Sequence, residues 1–334
     1  MGTFLKQIIQ AVALGTLLPG MVFSALADFK DEKMAISPPK QIQEQTEITQ
    51  PEPEKEVEQK TVYIPVLNRN GEVAQMDLED YIGCVVLGEM PASFEFEALK
   101  AQSVAARTYT LRCVLGSNKH PQGAVCTDHR CCQSYRDPED YIKNGGTQEN
   151  MQKVFAAAAQ TAGQVLCYNG ELILATYFSS AGGTTEDARE VWGGSVPYLT
   201  VVSSPEGDNA YNGKTVSFSS EEFQKKLGVT LKGKPESWFG RVSYTTGGGV
   251  DKIRIGGKLY SGVEIRTKLG LRSTDFTVST SDSSITFTTN GYGHRVGMSQ
   301  YGADAMAVLG SNYQEILYHY YPGTELQMYE PDTN

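Results

Sequence analysis

Along the chain, apolar and polar positions change their spacing several times, and each change marks an element. Alternation in Val62-Tyr63-Ile64-Pro65-Val66-Leu67, then Asn70-Gly71 and a second extended run, predicts a β-hairpin. A clearer one is predicted for Gln164 to Tyr168 and Glu171 to Phe178, which flank Asn169-Gly170, a dipeptide that accepts the positive φ of a type I′ turn. Between them Glu95 to Leu115 reads as a helix with one small-residue face (Ala98, Ala101, Ala105) and Ser93 as its N-cap. Glu149 to Thr161, with its alanine run, reads as another. In residues 205–285, rich in glycine turns, a capping box at Ser219-Ser220-Glu221-Glu222 and a stop at Gly228 predict one short helix in a strand-rich insertion or second lobe. Helices around Ser299 to Leu309 and Tyr313 to Tyr320 close the chain before the Pro322-Gly323 turn. The predicted class is α+β, without internal repeats.

The N-terminus follows a different pattern. After Lys6, residues Ile8 to Ala27 carry no charge, a run about long enough to cross a bilayer, and Ala25-Leu26-Ala27 also fits a signal-cleavage site. Residues 1–27 are thus expected to be a membrane anchor or signal, which places the rest outside the cytoplasm. Residues 28–60 hold nine Asp/Glu and five Lys with almost no aromatic side chains, the composition of a disordered acidic tether. A folded domain is expected over 61–334. The net charge of −10 removes nucleic acid as a partner, because such binding rests on clustered Lys and Arg.

Six cysteines in an exported chain suggest disulfides, but Cys126, Cys131 and Cys132 sit within seven residues. Cys84, Cys113 and Cys167 lie in apolar stretches and read as buried thiols, with Cys84–Cys167 or Cys113–Cys167 bridges as alternatives. The run from His120 to Cys132 concentrates imidazole and thiol donors, as a tetrahedral zinc site requires; a local disulfide or unpaired thiols are the competing readings. Four protein ligands would make the metal structural. Glu89, set among Val85-Val86-Leu87-Gly88 and Met90-Pro91, has surroundings that favour a protonated general acid, although a lone Glu ahead of a helix is more commonly a surface or capping residue. The hydroxyl- and glycine-rich loop Tyr177 to Thr185 suits sugar recognition or a plain turn. His294 lies among glycines before a helix; no Gly-x-Ser-x-Gly elbow accompanies it.

From Thr61 to Glu325 the sequence resembles the stage II sporulation protein D family, which includes the amidase enhancers. The resemblance is carried by Gly88-Glu89-Met90-Pro91, the stretch Glu97 to Tyr109, Tyr177 to Thr184, Gly293 to Tyr301, and His319-Tyr320-Tyr321-Pro322-Gly323-Thr324. It implies a lytic transglycosylase acting on peptide-stripped peptidoglycan glycan strands during forespore engulfment, beside other engulfment proteins including an amidase, with Glu89 as the catalytic acid. It also implies zinc held by His120, Cys126, Cys131 and Cys132, with His129 as substitute ligand because Cys131 stands where the family pattern has its last His. Expected sugar contacts are Ser179, Ser180, Thr184 and Gln300, with His294 as substrate contact or structural residue. Arg295 departs from the family's usual Gly, which is expected to alter the cleft. A wall-binding enhancer without catalysis, and a zinc hydrolase with an open metal position, are the rival readings.

Overall fold

The computed structural model describes residues 61–331 apart from 117, 118 and 208, so the membrane-targeting segment and the tether expected from the sequence lie outside the described residues. Among the described residues, nine α-helices and fourteen strands in several small sheets make an α+β fold. No described helix is long and apolar enough to cross a membrane.

The first hairpin pairs Tyr63–Leu67 with Val73–Asp77. Its turn closes because the Asn68 carboxamide oxygen accepts the N–H groups of Asn70 and Glu72. The chain then enters a helix, Leu78–Glu89, that the sequence pattern does not announce. Asp77 caps it by accepting from the N–H groups of Glu79 and Asp80. Eight of its residues, from Leu78 to Leu87, are buried around the whole circumference, so no polar face exists to betray a helical period.

The central helix, Phe96–Gly116, packs its small face inward, with Ala98, Ala101 and Ala105 fully buried. Ser93 does not cap it: the N–H of Glu95, immediately before the first helical residue, is taken by the Asp304 carboxylate at 2.7 Å. This helix contacts Leu78–Glu89, Gln148–Gln160 and both C-terminal helices, Gln300–Val308 and Tyr313–Tyr320. Buried Arg107 ties three of these pieces together, pairing with Glu79 and donating to the carbonyls of Ala158 and Gln164 at 3.1 Å each.

Asn169 and Gly170 take φ of 51° and 81° in the turn after Gln164–Tyr168, as expected. The return strand is shorter than expected. The ladder ends with the Ile173 N–H on the Leu166 carbonyl; the N–H of Leu174 goes to the Tyr198 hydroxyl, and the N–H of Thr176 turns back to the carbonyl of Leu174. Tyr177–Phe178 is thereby redirected to pair in parallel with Met298–Ser299. Residues Lys214–Thr289 build two three-stranded sheets and two helices around a second apolar cluster that includes Phe223, Trp238, Ile253, Ile265 and Phe287. There the capping box forms as read, with Ser219 and Glu222 exchanging hydrogen bonds and Gly228 ending the helix at φ 72°.

Candidate active site and metal centre

Glu89 is the last residue of the helix Leu78–Glu89, and its side chain leaves the helix end into a cleft of about 490 Å³. One carboxylate oxygen accepts the Ser134 N–H at 2.6 Å; the other accepts the Gln300 side-chain amide at 3.4 Å. Burial raises the Glu89 pKa, opposed by these two hydrogen bonds. Gly88 permits the arrangement. A Cβ there would lie 3.0 Å from the Ser134 hydroxyl and the Tyr135 nitrogen, so a larger residue would push away the segment that grips Glu89.

That segment continues directly from a cluster of four donors. The side-chain ligand atoms of His120, Cys126, Cys131 and Cys132 all lie within 4.8 Å of one another. His120 Nε2 is 3.3 Å from Cys131 Sγ and 3.4 Å from Cys132 Sγ. The local sequence explains the convergence. Cys126 ends a short strand held parallel to Tyr63–Leu67, and the Asp128 carbonyl accepts the N–H groups of both Cys131 and Cys132, reversing the chain toward it. Ligand atoms on a tetrahedron with bonds of about 2.3 Å stand about 3.8 Å apart, so three thiols and an imidazole at this spacing fit a soft, four-coordinate metal. His129 is not among the four: its side chain is 72% exposed and its nearest charged partner is Asp128. All six cysteines are unbridged, so neither of the alternative disulfides forms.

Of the residues expected to meet a sugar, Ser179, His294 and Gln300 are brought to Glu89 or its cleft. Ser180 and Thr184 are not. The Ser180 hydroxyl is fully buried and donates to Glu206, which also accepts from Ala181, Gly182, Ser204 and Ser299. Thr184 donates to the Gly247 carbonyl at 2.6 Å. Both hold the glycine-rich loop together instead of lining the cleft. His294 packs against Phe178 and Trp192, and its Nδ1 accepts the Val296 N–H at 3.1 Å. Burial, with the nearby Arg266 charge, lowers its pKa to about 4, so the ring is neutral at physiological pH. Tyr177 and Gln133 are additions: the Tyr177 hydroxyl donates to Gln133 Oε1, and Gln133 donates to Thr110. Tyr177 stands at the end of a predicted strand and Gln133 follows the last cysteine, and those positions were the available signal.

A family model described as "Stage II sporulation protein" matches residues 68–168, which span Glu89, the central helix and the cluster of His120, Cys126, Cys131 and Cys132. Stage II sporulation protein D of Bacillus subtilis is 41% identical over 272 residues, covering 79% of each chain. The chain belongs to the stage II sporulation protein D family. An amidase enhancer of the same organism is 33% identical over 304 residues, covering 73% of this chain and 40% of its own. Arg295, the position at which the sequence departs from the pattern expected by resemblance, is built into the fold. It takes a left-handed backbone, φ 67°; its side chain is buried and is not among the residues that line the cleft, although it directly follows His294, which is. It pairs with Glu186 at 3.1 Å and donates to the carbonyls of Ala181, Thr184 and Gly247.

Proposed function

We propose that this protein is an extracytoplasmic lytic transglycosylase acting in the sporulation cell wall, held at the membrane by its N-terminal segment and cutting peptidoglycan glycan strands from which an amidase has stripped the peptides. Its family supports the sporulation and cell-wall setting. The observation that carries the reaction is that, among the described residues lining the cleft, Glu89 is the one carboxyl group. Hydrolysing glycosidases commonly use two, one of them for a nucleophile or a water. One carboxyl suffices when the substrate supplies its own nucleophile.

Protonated Glu89 gives its proton to the oxygen leaving C1 of N-acetylmuramic acid. As the carboxylate it then takes the proton of that sugar's C6 hydroxyl, whose oxygen bonds to C1 and closes a 1,6-anhydro ring. Burial that raises the Glu89 pKa favours the first step, and the Ser134 and Gln300 donors support the carboxylate of the second. His120, Cys126, Cys131 and Cys132 would hold zinc; four protein ligands leave it a bracing role for the segment that carries Ser134.

Mass spectrometry of peptide-stripped strands incubated with the full chain tests this. Anhydro-muramic ends are expected from the wild type, and Glu89→Gln is expected to lower their rate by about 10²–10⁴-fold. Reducing ends would mean a hydrolase using water. No cleavage by a folded, zinc-loaded sample would favour an enhancer that binds wall without cutting.

A further inference from the structure

A second cavity, of about 620 Å³, adjoins the Glu89 cleft, and the two share Arg266 and Tyr292 in their walls. Tyr211 and Arg272 line the second cavity as well. Arg266 stands in the last turn of the helix Gly262–Leu269, and Arg272 follows shortly after it. Neither guanidinium forms an ion pair among the described residues, although Arg266 is half-buried. Burial lowers the Arg266 pKa, and no described carboxylate offsets that cost. A chain of net charge −10 thus keeps two cations without a carboxylate partner in one groove.

The aromatic side chains give the groove a platform. Tyr211 and Tyr292 have ring centroids 5.2 Å apart, and the Arg272 guanidinium lies 5.7 Å from one ring and 5.9 Å from the other. The platform is braced through its backbone. Tyr292 and Ser180 exchange two hydrogen bonds, and the Gly293 N–H donates to the Arg272 carbonyl at 3.0 Å. Tyrosine faces suit the C–H faces of a sugar ring, and a guanidinium suits a carboxylate through paired N–H donors.

We infer that Arg266 and Arg272, over the Tyr211–Tyr292 platform, form a subsite for an anionic sugar, and that it takes the free lactyl carboxylate of a muramic residue whose peptide has been removed. The inference rests on the glycan-cleaving reading of the cleft. It supplies the chemistry by which stripped strands are told from intact ones: an attached peptide turns that carboxylate into a neutral, bulkier amide, which an uncompensated guanidinium does not attract.

The test uses the full chain carrying Glu89→Gln, so that strands are held without turnover. Three probes are titrated: stripped strands with free carboxylates, the same strands converted to methyl amides, and an oligomer of N-acetylglucosamine, which has no carboxylate. Free-carboxylate strands are expected to bind about tenfold more tightly than the amides. Arg266→Gln with Arg272→Gln should bring that ratio to about one, whereas the two Lys variants should retain part of it. The exposed Arg272→Gln alone should lower the ratio, which frees the test from the packing of Arg266. A ratio of one in the parent, or a ratio that survives the double variant, overturns the subsite. Cleavage of both strand types at equal rates by the wild type would sink the subsite but leave the enzyme reading intact; no binding of any strand would sink both.

Discussion

Arg295 illustrates how one side chain can conflict with local propensity and still be fixed by its surroundings. Its left-handed backbone costs a residue with a Cβ roughly 1–2 kcal/mol, and its burial removes a guanidinium from water. Glu186, equally buried, and three backbone carbonyls compensate that charge. Removing one partner is worse than removing both, because the remaining charge has no water to turn to. Arg295→Ala is therefore expected to lower unfolding stability by about 3–5 kcal/mol, measured by chemical denaturation. Glu186→Gln combined with Arg295→Gly should recover much of the loss, since glycine accepts the backbone and no isolated charge remains. Recovery no greater than either single variant would show that the pair is not the cause.

Among the elements, the decisive connection is the segment from Cys131 to Ser134. Two of the four residues that could hold a metal stand at its start, Gln133 reaches Thr110 and Tyr177, and Ser134 gives its N–H to Glu89. Bound metal would hold the segment at one end while the helix Leu78–Glu89 holds it at the other, where the Arg136 N–H donates to the Cys84 carbonyl. Chelation of the zinc-loaded protein is expected to lower Tm by about 5 °C or more, each kcal/mol being worth roughly 2–4 °C in a domain of this size. Scanning calorimetry with and without chelator checks this. Glycan cleavage should fade as the fold loosens; immediate loss of turnover at unchanged Tm would instead indicate a metal that takes part in the reaction.

For the molecule as a whole, two buried groups pull stability in opposite directions with pH. Glu89 has a raised pKa, so between its unfolded and folded values the native state binds more protons, and its contribution to stability is lost as pH rises through the folded value. His294, lowered to about 4, behaves oppositely: the unfolded state binds the proton more readily, and stability falls as pH drops from about 6.5 toward 4. Melting across about pH 4 to 8 should show Glu89→Gln gaining on the wild type as pH rises. His294→Phe should gain on it as pH falls below about 6.5. A constant gap in either comparison would mean that the group does not titrate differently in the two states.

What the sequence determined by itself was local. Asn169-Gly170 settled a turn, Ser219 and Glu222 a helix start, and the alanine-faced helix its inward side, because each depends on residues a few positions apart. The convergence of His120, Cys126, Cys131 and Cys132 belongs here too, since the run from His120 to Cys132 is thirteen residues long and a short turn can gather them. Tertiary structure decided the rest. The helix Leu78–Glu89 is buried on every side and so carries no clear period to read. Gln300 meets Glu89 across 211 positions of sequence, and Arg266 reaches the same cleft from the 205–285 segment. Ser180 and Thr184 have the right chemistry for sugar, yet the loop turns them toward Glu206 and Gly247. Those choices depend on which surfaces pack together, and a one-dimensional pattern of side-chain character does not specify the partner of a surface once it is buried.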